Sequence, residues 1–349
     1  MSNSKKKFVT WRPLTFASVV IVGIAFAIIK ITPTSDFVFL PNKAQLVAPL
    51  IIVPEEKDPP ESGGIYMVDI RVKRATIFDK LLPGLNDEAT VIDGNRINPE
   101  GISDKQREQR STLQMATSQE ISAAVALQAL GYSVSADLAG VLIDLVQSDS
   151  PAQGILQPGD IIVDVQGVGL NTPADLNSVM DKIKPLVTIT LQIQRSQKNR
   201  TVRIQTFARD DDPTRALIGV RVRQAAKINI PIDIQIDTEN IGGPSAGLAF
   251  ALDIFDELGS CDLDAKRIIV VTGELALDGS VGAVGGIKQK AITARKLKAD
   301  LFIVPTRNEE VARENAGKVR TIAVATFTEA LEAITGKSSS TLKCKKTTI

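Results

Sequence analysis

The stretch that decides the fold is Ile268-Ile269-Val270-Val271-Thr272-Gly273-Glu274, followed past Asp278-Gly279 by Val284-Gly285-Gly286-Ile287-Lys288-Gln289-Lys290. Its β-branched run reads as a short buried strand, and Asp278-Gly279 as a hairpin-type turn. The Gly-Gly pair then opens a helix. At roughly 100° per residue, Ile287, Ala291 and Ala294 share one stripe, Lys290 falls at its edge, and Lys288 projects away near Arg295. A lysine acting as general base must be neutral, and loss of hydration lowers its pKa. By this helix geometry Lys290 is better placed for that than Lys288, which reads as a solvated charge.

Upstream, Ile228, Ile230, Ile232, Ile234 and Ile236 alternate with polar residues, which predicts a strand, at an edge because of Pro231. It ends in Ile241-Gly242-Gly243-Pro244-Ser245-Ala246-Gly247, and a helix with the stripe Leu248, Ala251, Leu252, Phe255 and Leu258 follows. Ser245 thus stands where a small-residue loop enters a helix. Free amides and the helix dipole there favour negative charge, as an oxyanion site requires. On this fragment alone, a plain N-cap serine is the commoner reading.

Composition narrows the chemistry. The 349 residues carry 41 basic and 40 acidic side chains, a net charge of +1, and only 4% aromatics, which argues against nucleic-acid partners. There is no histidine, which removes Ser-His-Asp and Cys-His catalysis and histidine metal sites together. Hydrolysis must then run on lysine, a carboxylate or a hydroxyl. Cys261 and Cys344 are too few for a disulfide framework or a zinc ribbon, and can pair only if the tail folds back.

Taken in order, GPSAG, TGE, a turn and GG-[hydrophobic]-K-x-K closely resemble the proteolytic domain of the Lon family, over about residues 228–336. The resemblance implies a Ser-Lys dyad, with the serine at Ser245 and the lysine, the second of the GG-x-K-x-K string, at Lys290. It further implies Thr272 as the hydroxyl orienting the amine, with Glu274 a weaker supporting candidate. Backbone of the loop Gly243, Pro244, Ala246 and Gly247 is implied to hold the oxyanion. Gly242 stands where ATP-dependent relatives often carry an acidic residue.

Residues 130–207 read as many short strands and two helices. One of these, from Pro173, carries Leu176, Val179, Met180 and Ile183 at helical spacing. The LGY string at Leu130 to Tyr132 and SPAQGILQPGDIIVDVQG resemble a bacterial-type PDZ domain. The resemblance implies a peptide groove between the segment after Gly131 and the Pro173 helix, touching Gly131, Tyr132, Leu176 and Met180. The plainer reading of the Leu176–Met180 stripe is core.

Lys5, Lys6, Lys7 and Arg12 precede an uncharged apolar run over 14–29, extended to 31 if Lys30 snorkels. This predicts a single-pass anchor rather than a cleaved signal, with the N-terminus cytoplasmic and the bulk extracytoplasmic. The expected fold is α+β: a transmembrane helix, a PDZ-like β-barrel with two helices, and a Lon-type α+β peptidase domain. The expected divisions are 1–13 cytoplasmic, 14–31 anchor, 32–118 extracytoplasmic, 119–210 PDZ-like, 211–336 proteolytic and 337–349 a disordered tail. Gly63, the Tyr66 strand and the Gln119 helix resemble the start of a Lon-type domain, so 63–130 reads as part of the protease and the PDZ as inserted. That arrangement predicts contact between the Tyr66 strand and Ile228 to Ile236.

Thr335-Gly336-Lys337-Ser338 lacks the earlier glycine of a phosphate loop, and no other nucleotide motif is visible, so ATP-independent cleavage is expected. No cofactor and no metal are expected, and oligomerisation is left open. Together the anchor, PDZ and peptidase motifs resemble the membrane-bound, PDZ-containing Lon-like proteases of Gram-positive bacteria, acting on peptides or proteins. The rival reading is an inactive, membrane-anchored peptide-binding scaffold.

Overall fold

In the computed structural model, Ile268–Val271 is the centre of a parallel sheet. The structure describes residues 11–54, 62–97, 103–209, 211–238, 241–259, 262–263, 265–338 and 344, with side chains from residue 19 on. It divides into two units, Met1–Leu40 with Arg71–Ile97, and Pro41–Ile70 with Asn98–Ile349.

In the larger unit, Ile268–Val271 pairs with Leu301–Pro305 on one side and with the start of Gly64–Thr76 on the other, both in parallel. Leu301–Pro305 pairs in turn with Arg320–Val324. Strands buried on both faces read as unbroken apolar runs, which is why IIVV and LFIVP show no alternation. Val271 and Ile303 pack on the face that carries helices Asp104–Ala129, Gly247–Leu258 and Phe327–Thr335. Val270, Phe302 and Val304 pack on the opposite face, against helices Ile287–Leu297 and Glu309–Ala316. Two helices from opposite faces therefore converge where Ile268–Val271 ends. In open parallel sheets that is where ligands bind.

A second sheet of this unit runs Val220–Asn229, Ser135–Val146, Ile161–Val165, Thr188–Arg195, Lys198–Gln205, with Val168–Gly169 hairpinned to the third. Val141, Ile143, Ile162, Ile189, Leu191 and Ile193 are its fully buried core. Arg195 grips the fully buried Asp160 with Nε and Nη2 at 2.7 Å each. This small sheet lies in the chain between Gly64–Thr76 and Ile268–Val271, which are neighbours in the other sheet.

Several expectations need correction. Among the described residues this small sheet carries one helix, Pro173–Met180, not two; residues 150–156 form turns. The helix expected from Gln119 starts far earlier, at Asp104, capped by Ser103 and Gln106, and packs into the core beside the parallel sheet. Its first half is polar, which is why the sequence there reads as irregular. The isoleucine strand is displaced to Val220–Asn229, since Pro231 has no N–H and stops the ladder; only Gln235–Ile236 resumes pairing, with Ile51–Ile52. The Tyr66 strand pairs with Val270 and its neighbours, and its Ile65 and Met67 share one core cluster with Ile230, Ile232, Ile234 and Ile236. A disordered tail does not hold at Cys344, which is disulfide-bonded and packs on the core. The one other cysteine, Cys261, and residues 339–343 and 345–349 lie outside the described residues.

In the smaller unit, helix Trp11–Ile31 leads into the first part of strand Pro33–Leu46, which pairs with Thr90–Ile92. Asp36 accepts a hydrogen bond from the Gly94 amide at 3.1 Å and pairs with Lys80 at 2.8 Å. The expected span over 14–31 is not supported: among the described residues no helix is long and apolar enough to cross a membrane. Residues 1–10, with the lysine cluster, lie outside the described residues.

Candidate active site

The loop over 241–246 precedes helix Gly247–Leu258, whose N-cap is Ala246 and carries no side-chain cap. Ser245 is therefore not the capping serine of the commoner reading. Its hydroxyl instead meets the amine of Lys290, with Nζ 2.7 Å from Oγ. The same Nζ donates to Thr272 Oγ1 at 2.9 Å, and Thr272 Oγ1 donates to the Ser245 carbonyl at 3.1 Å. Because the threonine proton is committed to that carbonyl, its lone pairs face the amine. One amine N–H is thereby held on Thr272, which turns the nitrogen's remaining valences toward Ser245.

Lys290 reaches this point from the first turn of helix Ile287–Leu297. Gly286 begins that helix at φ +67°, where a Cβ would also stand 2.7 Å from the Ile70 side chain. Only glycine meets both demands. The lysine is 2% exposed, and burial pushes its pKa down to about 7, against an opposing pull from the Asp69 carboxylate. An ammonium so desolvated readily gives up its proton. Lys288, two residues away, stays partly exposed on the other side of the helix.

The loop amides divide clearly. Gly243 N–H donates to Ser111 O at 2.9 Å, and Gly247 N–H to Pro244 O at 3.2 Å. Pro244 has no N–H. Among the described residues the amides of Ser245 and Ala246 have no acceptor, so of the expected backbone set only Ala246 stays available to an anion, joined by Ser245 from outside that set. Thr272 is fully buried, while Glu274 is exposed and pairs through its backbone with Gly282. Glu274 makes no bond to Lys290; it lines a cavity of about 390 Å³ together with Arg110, Asp144, Arg223 and Pro244. A second cavity, of about 770 Å³, opens on the other side of the loop, along Arg107, Glu108, Met115, Thr238 and Gly242.

Three serines that no motif singles out also hold this loop. Ser111 O holds Gly243, Ser118 Oγ donates to Pro244 O at 3.2 Å, and Ser122 Oγ donates to Gly247 O at 2.8 Å. All three lie on one face of helix Asp104–Ala129, and their i, i+7, i+11 spacing is the signal that reveals them.

The residues expected to line a peptide groove do not come together. Tyr132 packs against the core beside the parallel sheet, and Gly131 only closes the helix before it, at φ +85°. Leu176 and Met180 are buried in the small sheet's core, as the plainer reading has it. They also line a cavity of about 380 Å³ whose other wall is Arg215–Val222, outside the expected segment.

Comparison with known proteins finds matches to two domains. Residues 218–337 match the Lon protease (S16) C-terminal proteolytic domain, and residues 128–206 match a PDZ domain. Lon protease 2 of Bacillus subtilis (strain 168) is 36% identical over 107 residues, 31% of this chain and 18% of that protein. Lon protease of Mycoplasma mobile is 34% identical over 105 residues, 29% of this chain and 12% of that protein. The chain thus spans less than a fifth of the length of these relatives. Among solved structures, the PDZ domain of the SdrC-like protein from Listeria monocytogenes is 25% identical, covering 24% of this chain and 86% of that one, at a TM-score of 0.23. The chain carries a Lon-type proteolytic domain and a PDZ domain.

Proposed function

We propose that this chain is a serine endopeptidase that cleaves flexible peptides or proteins without ATP, using Ser245 as nucleophile and Lys290 as general base. The observation that carries the reading is the 2.7 Å contact between Lys290 Nζ and Ser245 Oγ, with the amine's pKa near 7. Neutral Lys290 takes the hydroxyl proton as Oγ attacks the substrate carbonyl carbon. The oxyanion is held by the Ser245 and Ala246 amides, and the ammonium then protonates the departing amine. Water, deprotonated by Lys290, hydrolyses the acyl-enzyme and restores both side chains. Substrate approaches along the two cavities that flank the loop.

In the same reading, the PDZ domain accepts a peptide at the free edge of strand Val220–Asn229, beside helix Pro173–Met180. The chain is anchored by its N-terminal apolar helix with its bulk extracytoplasmic. The lysine-flanked apolar run supports the anchor, and the disulfide at Cys344 fits an oxidising compartment.

The test is hydrolysis of β-casein fragments in ATP-free buffer by the full chain and by Ser245→Ala. Cleavage by the first and none by the second is expected. Peptide binding without cleavage by the wild type would instead establish the inactive scaffold.

Ser118→Ala probes the support of the loop. Losing that bond leaves Pro244 O, the carbonyl next to the nucleophile, held by the Gly247 amide alone. We expect kcat to fall about tenfold with KM little changed, as for a misaligned nucleophile. A kcat equal to wild type in steady-state peptide assays would show that Ser118 does not position the loop.

A further inference from the structure

We propose that the turn Leu81 to Leu85 seats in the boundary between lipid head groups and acyl chains, as a second membrane contact beside helix Trp11–Ile31. Leu81, Leu82 and Leu85 are 65%, 49% and 68% exposed within one short turn. Single exposed leucines are ordinary; three projecting from one turn form a patch that calls for a partner. The turn is held in shape rather than left loose. Pro83 opens its 3-10 helix, and Leu85 N–H donates to Leu82 O at 3.2 Å.

Its place beside the apolar helix is fixed as well. Thr76 and Asp79 form a reciprocal cap that starts helix Ile77–Leu81, and Ile77 N–H donates to Thr32 O at 3.1 Å. Phe78 meets Phe26 edge to face at 5.7 Å, and Lys30 Nζ lies 5.0 Å from the Phe78 ring centre and 5.1 Å from that of Phe26. The leucines thus lie at the level where Trp11–Ile31 ends.

The occupant is lipid because of how the apolar surface is distributed. Val19, Ile21, Val22, Ile24, Ile28 and Ile31 are exposed, and at helical spacing they cover every side of the helix. A protein groove covers one stripe of a helix, whereas a bilayer surrounds all of it. The inference rests on the reading that the helix is anchored. It requires the turn to enter the interface, not to cross it.

The test uses the full chain in vesicles of equal parts phosphatidylcholine and phosphatidylglycerol carrying nitroxide-labelled lipid. No described cysteine is free, so a thiol-reactive fluorophore can be placed at Ile24→Cys, Leu85→Cys or, on the PDZ domain's exposed hairpin, Lys198→Cys. We expect nitroxide to quench positions 24 and 85 at least about twofold more than position 198. Adding Leu81→Asn and Leu82→Asn is expected to lower quenching at 85 and leave 24 unchanged. Quenching at 24 with position 85 matching 198 overturns the inference and keeps the anchor. Quenching at neither overturns both. Quenching at 85 alone upholds the turn's insertion and overturns the anchored helix.

Discussion

Replacing Lys290 with methionine is expected to abolish cleavage, lowering kcat/KM by about four orders of magnitude, as removal of a catalytic base does. Lys290→Arg does not restore it, because a guanidinium stays protonated at any accessible pH and cannot take the Ser245 proton. Lys288→Ala stays within a few-fold of wild type, since that side chain lies away from Ser245. The wild-type rate also has a defined pH dependence. Burial holds the amine's pKa near 7, so the base is protonated and idle below that pH and free above it. Activity should rise through about pH 7 and level off well below the range of an exposed lysine. Steady-state peptide hydrolysis across pH checks both results. An active Lys290→Met, or a rate that rises only near pH 10, would remove Lys290 from the role of base.

The same substitution is expected to make the protein more stable. A lysine titrates at 10.5 when hydrated and near 7 here, so between those values the unfolded chain binds more protons than the folded one. Stability therefore increases with pH across that window. The cost of burying the amine is fully present below about 7 and gone above 10.5. Each pH unit between the hydrated and the buried titration corresponds to about 1.4 kcal/mol, so the cost at neutral pH is on the order of a few kcal/mol. Methionine fills nearly the same volume without a charge to desolvate. Thr272 keeps its bond to the Ser245 carbonyl, so no buried hydroxyl proton is stranded. Lys290→Met should unfold several degrees higher than wild type at about pH 6, with the gain vanishing towards pH 10. Thermal unfolding at the two pH values measures it. A variant less stable than wild type at pH 6 would mean that the bonds to Ser245 and Thr272 outweigh the buried charge.

These effects coincide at one residue because catalysis requires what folding resists. A base must be neutral near pH 7, and the surroundings that make it so are those that penalise an ammonium. The reciprocal hold of Thr272 and the helix face carrying Ser111, Ser118 and Ser122 support that arrangement.

The sequence by itself determined the local periodicities and therefore the elements. The apolar runs at Ile268 and Leu301 marked strands covered on both faces, and the Ile287 stripe separated Lys290 from Lys288 before any contact was known. It also determined the order of small-residue loops that distinguishes this domain. What only the tertiary structure decided is what each buried face packs against. Periodicity records that a side is covered, not by which partner, so Tyr132 went to the peptidase core, while Leu176 and Met180 face a cavity walled by Arg215–Val222. Helix Asp104–Ala129 hid its first half because it borders a polar cavity and gains no apolar signal there. The site itself is assembled over long separations, Lys290 meeting a serine 45 residues away and a threonine 18 away. Which two amides remain for the oxyanion depends on neighbours that use up the others, one of them Ser111, far upstream in the chain. That accounting follows from where hydrogen bonds close in space, and no spacing along the chain contains it.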